Sequence, residues 1–193
     1  EGSVNERNFL GKGIDLNFTG RLASEKISGV FSYIDPNFMN SEKELANYFY
    51  SETDDYSNAG YKSKRIGDRL GTRYEIFEDI YLKPFGILQF DKLETNSNAS
   101  SLLRSRDGNF TTTTLGFNLL ADFRNSKNLP TSGSLSFFDQ SYATLISDVP
   151  TIQTSVGSTF YQELINEKFI GSAKLKLSNV TAFDNKDIKL SDR

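Results

Sequence analysis

The chain has no cysteine, no histidine and no tryptophan among its 193 residues. Without cysteine there is no disulfide framework, no thiolate nucleophile and no sulfur metal ligand. Without histidine the commonest general base and the commonest zinc ligand are gone. Ser-His-Asp and Cys-His sets are therefore impossible, and no pair of carboxylates stands out. Catalytic, cofactor-binding and metal-binding residues are accordingly read as none, and no enzyme is expected. The net charge of -3 argues against a dedicated nucleic-acid partner. No apolar run approaches the roughly 18 residues of a membrane helix. That excludes a helical span but not a membrane barrel, in which only alternate residues meet lipid. Glu1–Asn8 carries neither an initiator Met nor a signal peptide, and Asp187–Arg193 stops in polar sequence. Both ends are expected to be cuts in a longer chain.

What the sequence does have is period-two alternation, repeated in about nine segments separated by turn signals. In Phe110–Arg124, Thr111, Thr113, Leu115, Phe117, Leu119, Ala121 and Phe123 share one face. Thr112, Thr114, Gly116, Asn118, Leu120, Asp122 and Arg124 share the other. Successive strand side chains point to opposite faces, so one face is oily and the other mostly wet. The same reading gives strands at 14–22, 26–35, 44–51, 63–77, 81–93, 134–143, 152–164 and 169–180. Faces cannot be assigned for 44–51, and Pro84 suggests a bulge or strand end. Aromatics reach 13%, from 16 Phe and 9 Tyr, which suits a girdled barrel or an aromatic sandwich core.

The connections divide into two sets. Compact ones are expected at 11–13, 35–43, 77–80, 125–133 and 165–168. Longer or more polar ones are expected at 52–62, 94–109, 144–151 and after 181, with 23–25 the short exception. Short turns on one side and long loops on the other is the asymmetry of outer-membrane barrels. Nine strands would put the two chain ends on opposite sides. Bacterial single-chain barrels have even strand numbers, so that parity predicts part of a larger barrel. Arg65, Arg69 and Arg73 line one strand face with Glu75. They read either as a basic patch inside a lumen, near carboxylates of neighbouring strands, or as a solvated sheet face. Glu52, Asp54 and Asp55 lack the spacing of a calcium loop and read as a solvated connection.

The turns are more specific. Asn8-Phe9-Leu10-Gly11-Lys12-Gly13 resembles the N-[FW]-L-G-x-G turn of the BamA-type outer-membrane assembly barrels, the bacterial surface antigen family. Asp35-Pro36-Asn37-Phe38 resembles that family's [DN]-P-[YNW]-F turn. Leu129-Pro130-Thr131-Ser132-Gly133 resembles its F-P-T-x-G turn, with Leu129 in place of the aromatic and Asp122-Phe123-Arg124 matching the preceding D-x-R. The three occur in family order, all on the compact-turn side, and the resemblance covers essentially the whole chain.

The resemblance implies an all-β fold, an antiparallel up-and-down transmembrane β-barrel segment. Residues 1–193 would be a partial outer-membrane barrel domain, from strand two through strand eleven of sixteen. The POTRA domains, the first strand, the V-R-G-F loop and the C-terminal strands would be absent. It implies a bacterial outer-membrane protein that assembles and inserts other β-barrels without covalent chemistry or cofactor. Its partners would be outer-membrane lipid, unfolded outer-membrane clients and accessory lipoproteins reached through the POTRA domains. A TamA-like barrel or a two-partner secretion transporter is the alternative within the family. Outside it, a passive porin-type channel lacks these turns, and a soluble β-sandwich binding module would bury its Leu/Phe faces between two sheets.

Overall fold

The computed structural model describes residues 1–143, 150–165 and 169–182. They form ten strands: β1 Gly2–Phe9, β2 Ile14–Leu22, β3 Lys26–Asp35, β4 Glu44–Tyr56, β5 Tyr61–Phe77, β6 Ile80–Thr95, β7 Gly108–Asp122, β8 Gly133–Ala143, β9 Thr151–Ile165 and β10 Phe169–Ala182. Each pairs with its sequence neighbours in one antiparallel up-and-down sheet, in the order β1 to β10. β2 and β3 have the expected bounds, and most other strands run longer than their apolar pattern. The extra strand is β1, whose GSVNERNF carries too little alternation to be read as one. Ten strands remove the parity argument, which rested on nine. Pro84 lies inside β6 and does not end it.

The chain divides into two compact units. Among the described residues, one comprises Glu1–Thr72 and Phe85–Thr114; the other comprises Arg73–Pro84, Leu115–Ala143, 150–165 and 169–182. In the first unit the register carries one row across four strands: Val4 opposite Phe18, Phe18 opposite Phe31, and Phe31 opposite Phe49. All four side chains are exposed. This settles the faces of Glu44–Ser51, where consecutive Tyr48, Phe49 and Tyr50 hide the alternation. Phe49 joins the oily face, and Tyr48 and Tyr50 the other. In the second unit Phe138 lies opposite Val156 and Val156 opposite Leu177, again all exposed.

Among the described residues the buried hydrophobic side chains are only Ile14, Ala99 and Ala143. A sandwich would bury its Leu/Phe faces against a second sheet about 10 Å away. Among the described residues those rows are exposed instead, where an ordinary soluble monomer keeps contiguous apolar patches small.

Two expectations about connections change. The stretch 52–62 is not a long loop. β4 continues to Tyr56, a 3-10 turn occupies Ser57–Ala59, and β5 starts at Tyr61. Its polar residues are strand residues that pair across the sheet: the Lys26 ammonium sits 2.8 Å from Glu52 and 3.3 Å from Asp54, and Lys62 lies 2.8 Å from Asp55. Polar composition there reflects ion pairing and not loss of structure. The connection between β7 and β8, expected to be compact, spans 123–132. The contrast of short and long sides is therefore weaker than the sequence suggests. The expected connections at 144–151 and 165–168, and the stretch after 181, lie wholly or largely outside the described residues.

Candidate functional site

The three motif turns are each held by their own polar side chains. Between β1 and β2, the Asn8 carbonyl accepts the Gly11 N–H at 2.9 Å, and the Asn8 side-chain oxygen accepts the Gly13 N–H at 2.7 Å. Leu10, Gly11 and Gly13 all have φ between 56° and 70°. Glycine adopts that region without a Cβ penalty. Leu10 does not, and its side chain stands free at the tip. Between β3 and β4, the Asp35 carboxylate accepts the Asn37 N–H at 3.0 Å. Pro36 presets the backbone entering this turn. Phe38 donates its N–H to Lys43 O and receives the Ser41 hydroxyl at 2.6 Å.

The turn between β7 and β8 is the most heavily bonded. Asp122 and Arg124 form a bidentate pair at 2.6 and 2.8 Å, the strong planar form of this contact. The Asn125 side-chain oxygen accepts the N–H groups of Thr131 and Ser132, and its amide donates to the Thr131 hydroxyl. Pro130 precedes this clamp. Gly133 has φ of 97°, and a Cβ there would collide with the Phe123 carbonyl oxygen. The Asp122 N–H also donates to Asp79 O, joining this turn to the one between β5 and β6.

The polar face of the first unit carries a connected cluster. Arg65 Nε donates to Asp91 at 3.0 Å, Gln89 donates to the other Asp91 oxygen at 2.8 Å, and the Tyr50 hydroxyl donates to Gln89 at 2.6 Å. Tyr50 lies across Gly67, where any Cβ would strike its ring. Arg69 stacks 4.1 Å above the Phe85 ring. In the second unit Arg73 stacks 4.1 Å above Tyr81, and Asn118 donates to Asp139 at 2.6 Å. Such cation–π contacts are worth about 0.5–1 kcal/mol at exposed sites. The three arginines alternate onto one face of β5, where Arg65 pairs with the Asp91 carboxylate. Glu75 lies at the strand end, where it accepts the Asp79 N–H at 2.7 Å.

The sequence reading missed Tyr50, Gln89, Asp91 and Gly67. Gln89 and Asp91 sit two apart on one face of β6, a usable signal. Tyr50 had none, because its strand's faces were ambiguous. Among the described residues no group of acidic side chains is arranged to hold a metal.

A superfamily description, the Omp85 superfamily domain, matches residues 8–193. The chain belongs to the Omp85 superfamily. No curated protein matches it. Among solved structures, the crystal structure of BamA from Haemophilus ducreyi lacking POTRA domains 1–3 aligns with a TM-score of 0.81 at 20% identity. The alignment covers 98% of this chain and 40% of that one. This Omp85 chain therefore has the fold of a segment of a larger outer-membrane barrel, and its place is the bacterial outer membrane. The exposed apolar rows, and a single sheet among the described residues, agree with that membership.

Proposed function

We propose that the intact protein folds and inserts other β-barrel proteins into the outer membrane without covalent chemistry. In this reading unpaired strand edges elsewhere in the barrel template incoming strands. That lowers the cost of carrying unsatisfied backbone groups into lipid. The present segment supplies the wall: an apolar face toward lipid and a polar face toward the lumen. Arg65, Arg69, Arg73 and Glu75 belong to the lumen side. The Asn8–Gly13, Asp35–Phe38 and Pro130–Gly133 turns form the periplasmic rim. Partners are outer-membrane lipid, unfolded barrel clients, and accessory lipoproteins bound through POTRA domains.

The observation that carries this reading is an Omp85 sheet with rows of exposed large apolar side chains on one face and a bonded polar cluster, Tyr50–Gln89–Asp91–Arg65, on the other. Depletion of the full-length protein in its own cells tests the function. A general fall in folded outer-membrane barrels, with unfolded precursors accumulating in the periplasm, is expected. Loss of only a small subset of surface proteins would instead indicate a TamA-like translocation barrel. The face assignment has its own test, helped by the absence of cysteine. Leu175 and Lys176 are adjacent, both exposed, and on opposite faces of β10. In bilayers, Lys176→Cys should react readily with a water-soluble maleimide and Leu175→Cys slowly. Equal reactivity would sink the assignment.

A further inference from the structure

A bulge in β1 opens a groove on the apolar face. Glu6 lies opposite Leu16 and Phe9 opposite Ile14, so between them Arg7 and Asn8 stand against Asp15 alone. The extra residue re-aims the strand. Glu6 and Phe9 both join the face of Val4 and Leu16, where unbroken alternation would separate them. A groove of about 520 Å³ lies over this spot, lined by Val4, Phe9, Leu16, Phe18 and Phe31, with Glu6 as its one charged residue. That volume is in the range of small-ligand sites. Glu6 is exposed, and one of its oxygens accepts the Asn8 N–H at 3.1 Å. Among the described residues no cation pairs with it. Asp35, at the end of β3 on the same face, lies outside the groove and accepts the Asn37 N–H of its own turn.

Position along the strand selects the occupant. Glu6 is three residues from the end of β1 at Phe9, roughly 10 Å along the strand and less along the membrane normal once the strand tilts. A carboxylate there stands at the edge of the hydrocarbon, within reach of the headgroup layer. What meets it from that layer must bring a cation that donates hydrogen bonds, because such charge-assisted bonds are the strong ones. It must also bring apolar chain to lie over Val4, Phe18 and Phe31. The concavity admits a single slender chain, whereas a docked protein surface needs about 800 Å² on each side. We propose that this groove holds one phospholipid with a primary-amine headgroup, its ammonium on Glu6 and an acyl chain against Leu16 and the Val4–Phe18–Phe31 row. The proposal rests on the assignment of the apolar face to lipid and of the Asn8–Gly13 turn to the membrane rim.

The test uses the full-length protein, purified and equilibrated with equal amounts of phosphatidylethanolamine, phosphatidylcholine and phosphatidylglycerol of identical acyl chains. Retained lipid is counted by native mass spectrometry. All three carry the phosphate, but only the first has ammonium N–H donors. One ethanolamine lipid should be retained, preferred about tenfold over the others, as for a hydrogen bond to a charged group. Glu6→Gln keeps the side chain's size and should bring that preference near unity. Glu6→Lys should turn it toward the glycerol lipid. Leu16→Trp, which fills the groove, should lose the retained molecule while its heat-modifiable mobility stays that of a folded barrel. Equal retention of the three lipids by the unaltered protein, or an ethanolamine preference that survives Glu6→Gln, would overturn the proposal. So would a photoreactive residue at Val4, in the protein's own membrane, that captures a protein and no lipid. Equal maleimide labelling of Leu175→Cys and Lys176→Cys would instead remove the face assignment beneath it.

Discussion

At the scale of single residues, the informative positions are those where a side chain cannot be tolerated. Gly133 combines a left-handed φ with a carbonyl oxygen where its Cβ would go. Gly133→Ala should cost more than the about 1–2 kcal/mol of left-handed strain alone. The midpoint of urea unfolding of the intact barrel in detergent checks it. Asn125→Ala removes three hydrogen bonds from an exposed side chain. The expected loss is smaller, about 0.5–1.5 kcal/mol by the same assay. Gly67→Val must displace the Tyr50 ring and break its bond to Gln89. That overpacking should cost about 1–3 kcal/mol. An unchanged midpoint would show that Tyr50 has an equivalent alternative position. The need for glycine at 133 was legible from its motif; at 67 it was not, because Tyr50 is remote in sequence.

At the scale of elements, the connection from β6 to β7 is a folded cap on its neighbour. It contains a short helical turn, Ser101–Arg104, begun by the Ser100 hydroxyl accepting the Leu103 N–H. Ala99 is buried against Gly60, and Asn96 donates its N–H to Gly60 O and its amide to Ser57 O. The loop is closed at its base by Asp107, whose carboxylate accepts both the N–H and the hydroxyl of Thr95 at 2.7 Å. Those bonds hold the Asp107 carboxyl below its ordinary value. The ionised form is therefore favoured by folding. Its contribution is complete above the unfolded carboxylate pKa and disappears as pH falls through the lower folded value, below roughly pH 4. Exchange of the Thr95 amide, corrected for its intrinsic pH dependence, should accelerate in that window, and Asp107→Asn should abolish the pH dependence. The sequence showed a polar loop here; the cap was hidden because its contacts join residues some 39 positions apart.

At the scale of the molecule, most large apolar side chains in the rows of the described strands are exposed. Residues 1–193 expressed alone should aggregate in water and require detergent or lipid to stay dispersed. Recovery of a soluble monomer that unfolds cooperatively would count strongly against the outward apolar face. This prediction concerns the whole sheet, since no single substitution among Phe18, Phe31 and Phe49 removes the surface.

The sequence by itself determined the strand periodicity, most strand positions, the three motif turns and the family. Each of these is local: two-residue alternation and glycine, proline or Asx turn chemistry act within a few residues of chain. Only the tertiary structure decided the rest. Strand β1 exists because β2 pairs with it, not because its own residues alternate. Glu52–Asp54 is strand because it pairs with Lys26–Ser28 of β3, with Lys26 meeting its carboxylates. Tyr50, Gln89 and Asp91 meet because β4, β5 and β6 lie side by side. Pairing register sets which face each residue joins, and register is a property of two strands, not of one.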